Sequence, residues 1–371
     1  MHATETLSTP ALREAGRQMT ICNACRYCEG LCAIFPAMEL RRDFSAGDLH
    51  YLANLCHGCG ACYYDCQYTP PHEFAVNVPV ALAELRTESY RQYAWPGAFS
   101  ALFEKNGAKV ALATVLALAA FLIGFGALID PQVLFAGHDG PGAFYAIMPH
   151  NAMVAIFGAV FVFALAAMSM SLRAYWRATG GAGAEAVSGR SLWRAMMDAG
   201  RLRYLDGGGA GCMNDDERPT DNRRTWHHFT FYGFLLCLAS TTLATLLHYA
   251  LGWQAPYAWF NPVVILGTLG GLGLVIGPAG LLAARRRRDP AIAENGQSAM
   301  GTAFLWMLLL TGLTGLLLLA LRATPAMAIV LAIHLGFVLG LFVSLPYGKF
   351  VHGLYRFAAL VQYARERYGN P

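Results

Sequence analysis

Six apolar stretches, at 110–129, 152–172, 229–251, 262–284, 302–321 and 326–345, dominate this 371-residue sequence. Each is close to the roughly 20 residues a helix needs to cross ~30 Å of hydrocarbon. Lipid offers no water to the backbone, so spans of this length must satisfy their own N–H and C=O groups as helices. Composition agrees: charged residues make up 13 % and apolar residues 56 %, where a soluble chain averages roughly 25 % charged. The net charge of +4 is too small to point to nucleic acid, and none is expected as a partner. Asp130-Pro131, Pro149, Pro256, Pro262 and Pro325 punctuate the connections.

Lys and Arg set the orientation. The 173–228 loop carries nine arginines, Arg285–Arg288 follows the fourth span, and Lys349, Arg356, Arg365 and Arg367 follow the sixth. The loops 130–151 and 252–261 carry none, and 322–325 has only Arg322. By the positive-inside rule the N-terminus, the 173–228 loop and the C-terminus are expected in the cytoplasm, on an inner (cytoplasmic) membrane protein. Residues 1–20 lack the apolar run of a secretion signal, which fits the same expectation. Inside the fourth span, Gly267-x3-Gly271 and Gly273-x3-Gly277 suit close helix packing and not a nucleotide loop. Gly207-Gly208-Gly209-Ala210-Gly211-Cys212 reads as a flexible turn, with a flavin or phosphate contact as the lesser reading.

Ahead of the spans stand two copies of one cysteine pattern, Cys22-x2-Cys25-x2-Cys28-x3-Cys32 and Cys56-x2-Cys59-x2-Cys62-x3-Cys66. Three thiolates from one loop and a fourth from elsewhere suit a [4Fe–4S] cluster, and the fourth cysteine of each run binds the other cluster. Two clusters are therefore expected, one on Cys22, Cys25, Cys28 and Cys66, the other on Cys56, Cys59, Cys62 and Cys32. Zinc favours separated ligand pairs and fits the spacing poorly. Residues 20–94 read as helical: apolar positions in Phe35–Leu55 recur at helical spacing, two short helices fill the gap from Cys32 to Cys56, and Ala81–Arg91 closes the unit. The proline usual after the fourth cysteine is absent, with Ala33 and Gln67 in its place. Trp95-Pro96-Gly97 breaks the chain, giving an α-helical unit over 1–105 and a six-span bundle over 106–371, an all-α protein.

Ionisable residues near spans are functional candidates by default. His227, His228 and His248 bracket the third span, and His334 and His352 mark the sixth. The 18-residue step from His334 to His352 returns to one helical face about 27 Å away, with Pro346 loosening that estimate. The third and sixth spans run in opposite directions, so His227 (or His228) is expected to meet His352 and His248 to meet His334. One or two bis-histidine b haems follow as an expectation, with His150 able to replace His248. Helix capping, water contact or quinone binding are the alternatives. His50, His57 and His72 are expected to tune or shield the clusters, His57 above all.

These motifs, with Trp226-His227-His228-Phe229 entering a span, make the chain resemble the tricarballylate-utilisation protein B family, also called citrate-utilisation protein B, over nearly its whole length. Its parts are also similar to the helical ferredoxin of fumarate reductases and the haem-binding membrane subunit of respiratory nitrate reductase. The resemblance implies a partner, an FAD-dependent tricarballylate dehydrogenase, whose reduced flavin this chain would reoxidise for the quinone pool. The sequence holds no dinucleotide fingerprint of its own, so chemistry on the carbon substrate is expected on that other polypeptide. The same wire serving another flavin or thiol–disulfide enzyme, or a membrane-anchored redox sensor, are the competing readings.

Overall fold

Thr9 and Pro10 start the first helix: the Thr9 hydroxyl accepts from the Leu12 N–H, and proline occupies the position where a missing N–H costs nothing. A computed structural model describes residues 7–138, 140–180, 186–209, 211–214, 218–293 and 295–368. The chain is all-α, with no sheet among the described residues, and the closest thing to a strand is an isolated bridge between Cys212 and Thr220.

The N-terminal unit holds α1 (Pro10–Cys25), α2 (Ile34–Glu39), α3 (Ala46–Leu55), α4 (Ala61–Tyr64) and α5 (Val78–Gln92). α1 stops at Arg26, which takes the left-handed conformation (φ 58°) and turns the chain into the first cysteine loop. α2 and α3 are the two short helices expected between the cysteine runs. A capping box of Ser45 and Asp48 starts α3, and Cys56 in extended backbone ends it. Gly60, at φ 90°, makes the left-handed turn into α4.

Among the described residues six helices are long and apolar enough to cross a membrane, which makes this a multi-pass membrane protein. They are α6 (Asn106–Leu128), then, after the short α7 (Pro131–Leu134) and α8 (Ala143–Ile147), α9 (His150–Ala178). After α10 (Gly189–Gly200) follow α11 (Asn222–Leu251), α12 (Pro262–Arg286), α13 (Asn295–Leu321) and α14 (Met327–Ser344), and the chain closes with α15 (Val351–Tyr368). The glycines of α12 do what their spacing suggested. A Cβ on Gly273 would stand 2.8 Å from the Gly233 Cα, and one on Gly270 would stand 2.7 Å from the Cys237 nitrogen, so α11 and α12 touch backbone to backbone. Gly271 faces the other way, towards Leu316 of α13.

Proline decides the end of the bundle. α14 stops at Ser344, and Leu345–Tyr347, with Pro346 inside it, forms a 3-10 turn before α15. His334 and His352 therefore sit on different helices, and the one-face relation expected between them does not hold.

The two units share their interior. Leu12, Met19, Phe35, Tyr51, Leu52 and Leu82 of the N-terminal unit pack in one core with Ala359, Leu360 and Tyr363 of α15. A second core joins Tyr90 and Tyr93 of that unit to Tyr175 of α9 and Tyr355 of α15. Tyr175 and Tyr355 stack with ring centres 4.6 Å apart and planes 5° from parallel. Arg41 ties the same parts together through Asp48 (2.6 Å) and Glu366 (2.7 Å).

Candidate functional site at the junction of the two units

Burial is the main force on the thiols of the N-terminal unit. It pushes Cys22 up to about 12, helped by Cys66, Cys28 and Cys25, and Cys28 up to about 11, with Cys66 the largest charge neighbour. Cys32 and Cys62 are also pushed up by burial, Cys32 with Cys59, Cys56 and Cys28 as thiol neighbours, Cys62 with Cys59, Cys32, Cys56 and Cys28. Cys22, Cys25, Cys28 and Cys66 line a small cavity of about 260 Å³, walled also by Phe35, Tyr68 and Val76. The thiols are thus brought into two neighbourhoods. All ten cysteines are free.

Neighbourhood is not ligation. Among the described residues no three His, Cys, Asp or Glu side chains gather closely enough to hold a metal ion. A cubane needs four thiolates at its corners, and neither quartet supplies even three. The two [4Fe–4S] clusters expected from the spacing are corrected on this ground, and so is the metal-binding character read from them. Spacing along a loop fixes which cysteines can approach, not how their Cβ vectors converge. His57 has no cluster to tune on this account; its Nδ1 lies 3.0 Å from the Leu55 carbonyl.

The haem expectation is corrected with it. His227 and His352 do approach, with ring centres 6.3 Å apart and planes at 76°, but among the described residues they belong to no group of side chains that could hold a metal ion. His228 turns away and stacks on Tyr232 at 5.9 Å. His248 does not meet His334: it stacks on His150, ring centres 4.0 Å apart, too close for a porphyrin to lie between. His334 instead bonds Thr314 through Nδ1 at 3.0 Å and packs on Gly315. The reason is depth. His248 lies three residues before the end of α11 and His334 seven after the start of α14, a mismatch of about 6 Å at 1.5 Å per residue.

The structure builds a different site where the units meet. A cavity of about 870 Å³ runs from His57, Gly58 and Cys59 of the N-terminal unit, past His227 and His352, to Phe234, Phe304 and Leu308 among the spans. Of the six arginines that line it, four from separate segments converge on the backbone around the second cysteine run. Arg86 of α5 bonds the carbonyls of Ala53 (3.3 Å) and Cys56. Arg223 of α11 bonds Gly58 (2.9 Å) and His57 (3.0 Å). Arg288 bonds Gly58 (3.3 Å) and Ile292 (2.9 Å), and Arg356 of α15 bonds Asn54 (3.2 Å) and Cys56 (2.6 Å). The second cysteine run is thus held by guanidinium groups on its backbone. Burial, then Arg356, Arg223 and Arg86, hold His57 well below the usual histidine range; burial and Lys349 do the same to His352.

The arginines were visible in the sequence only as membrane-flanking charge, and nothing there marked them as a group. The glycine run was visible as a turn, and the structure shows what it packs on. A Cβ on Gly207 would stand 3.2 Å from that of Ala61 and 3.8 Å from the Cys59 sulfur, and one on Gly208 would stand 2.9 Å from the Leu31 carbonyl. Both residues take positive φ, so the run is a close-fitting cover over both cysteine loops. Cys212, left over from the twin motif, is buried beside them, and the next residue, Met213, donates its N–H to the Cys59 carbonyl at 2.9 Å.

Two family models match the chain. A family model described as "Citrate utilization protein B" matches residues 104–370, and one described as "Citrate utilization protein B Fer4-like domain" matches residues 15–95. The chain is 49 % identical over 359 residues to "Citrate utilization protein B" of Escherichia coli, covering 95 % of this chain and 92 % of that one. No solved structure matches. A thiol-rich helical unit set on a six-helix bundle, matched end to end in this way, belongs to the citrate utilization protein B family.

Proposed function

We propose that the chain is the membrane subunit of an oxidoreductase: it takes electrons from the reduced FAD of a partner dehydrogenase, whose substrate is tricarballylate, and passes them to the quinone pool of the cytoplasmic membrane. Residues 1–105 face the flavoprotein in the cytoplasm, and the bundle of 106–371 reaches the lipid-soluble acceptor. Two electrons and two protons leave the dihydroflavin, and the same number convert a quinone to its quinol. The observation that carries the reading is the shared core of the thiol-rich unit and the multi-pass bundle, centred on Tyr90, Tyr93, Tyr175 and Tyr355. Such a junction holds a water-facing unit at a fixed place on a lipid-facing one. Family membership supports the same class of role.

The test uses the purified full-length chain in proteoliposomes with a short-chain quinone and the reduced flavoprotein, following recovery of the oxidised-flavin absorbance. The chain should speed reoxidation at least tenfold over empty liposomes. Equal rates with and without it would end the proposal.

A further inference from the structure

We infer that the junction cavity is a binding site for a phosphate-class oxyanion carried on an apolar body, the chemistry of an acidic phospholipid. Arg86, Arg223, Arg288 and Arg356 crowd one wall, and among the described residues the acid lining the cavity is Asp198. Asp198 is already engaged by Arg203 and Tyr204. The four guanidinium groups bond only neutral backbone carbonyls in the contacts above, and carbonyl dipoles do not cancel four positive charges. Arg86 is buried and the other three are half-buried, and charges withdrawn from water are ordinarily paired.

A second observation is independent of the charge count. Arg86 is 6 % exposed, and its Nε has no hydrogen-bond partner; the Nε of Arg288 has none either. Unsatisfied buried N–H groups of a cation are costly, by more than the neutral case, and a fork of guanidinium donors matches an oxyanion better than any other partner. Burial and mutual repulsion press Arg288 and Arg356 down to about 10, with Arg223 and Arg86 among the causes. The wall would be relieved by an anion.

The rest of the cavity says what the anion is attached to. Below the arginines the lining is Phe231, Phe234, Leu281, Phe304 and Leu308, all on membrane-crossing helices. At about 870 Å³ the space lies near the upper end of small-molecule sites. A bare oxyanion would leave this apolar wall uncovered, whereas an acyl chain would cover it. Arginines at the head and aromatic residues beneath it match a lipid taken up from the leaflet beside the N-terminal unit.

The experiment uses the full-length protein in detergent, stripped of lipid and offered mixed micelles of phosphatidylglycerol and phosphatidylcholine, with retained lipid read by native mass spectrometry. Phosphatidylglycerol should be retained at least tenfold over phosphatidylcholine, and the double variant Arg288→Gln, Arg356→Gln should lose that preference. If the variant does not fold, the wild type still decides: retention of the two lipids within twofold of each other would remove the lipid. In parallel, thermal unfolding is followed with inorganic phosphate alone. A raised midpoint without any lipid preference keeps the oxyanion site and removes the lipid as its source. No preference and no shift with phosphate would overturn the site altogether. Neither readout uses flavin or quinone, so this result stands or falls apart from the electron-transfer reading.

Discussion

The bundle carries a histidine pair at each end, and the two ends have different fates. At one end His227 and His352 lie in a cavity roofed by the N-terminal unit and crowded by arginines. At the other, His150 and His248 stack directly on each other beside Tyr145 and the exposed Tyr249. The residue types match; the difference is enclosure. Where a second unit covers the helix ends, burial and fixed cations shape the groups beneath. At the other end the half-buried imidazoles stack face to face, and His248 Nδ1 lies 3.2 Å from the Trp253 carbonyl. Chemistry follows the roof and not the histidine.

The sharpest way to break this contrast is to damage the junction itself. Tyr175→Ala removes one ring of the buried stack on Tyr355 and should cost about 3–5 kcal/mol, seen as a large drop in the unfolding midpoint in detergent. Tyr249→Ala at the open end, where the ring is 66 % exposed, should cost less than about 0.5 kcal/mol. Equal effects would mean that the junction is not the stable part of the molecule.

Protonation gives the next effect. Burial holds His50 down to about 4 from 6.5, so the folded state binds it neutral, and its Nδ1 lies 2.6 Å from the Tyr93 hydroxyl. A lowered folded value means a contribution fully present above pH 6.5 that is lost as pH falls towards 4, worth about 3 kcal/mol. The double variant His50→Phe, Tyr93→Phe removes both partners and should flatten that part of the stability–pH curve. An unchanged slope would show that His50 is not the titrating group.

Arg41→Ala removes the ion pair to Glu366 that ties the N-terminal unit to the C-terminal helix, together with the pair to Asp48 within that unit, and should cost about 1.5–3 kcal/mol, measured by denaturant unfolding. The smallest change belongs to the open end. His150→Ala should alter stability by less than about 0.5 kcal/mol and leave quinone reduction within twofold of wild type. A tenfold loss there would erase the distinction between the two ends.

Much of the architecture was legible because its signals are local. Twenty-residue apolar runs and the α12 glycines each act through neighbours in sequence or one helix face. The site was less so. Cysteine spacing showed which thiols share a region, but ligation depends on side-chain directions set by tertiary packing, and those do not converge on a metal. Helical arithmetic placed His334 and His352 on one face because it ran through Pro346, where the chain breaks. The His248–His334 pairing failed because periodicity gives angle, not relative depth. The arginine group comes from four segments as far apart as Arg86 and Arg356, and only folding reveals it.

One consequence of the long-range core concerns synthesis. The N-terminal helices leave the ribosome first, yet one wall of their interior is Ala359, Leu360 and Tyr363 near the far terminus. Every membrane segment must be threaded before that wall arrives. The first part made is thus the last part finished, and a chain cut short after its sixth span would carry an open, thiol-lined flank.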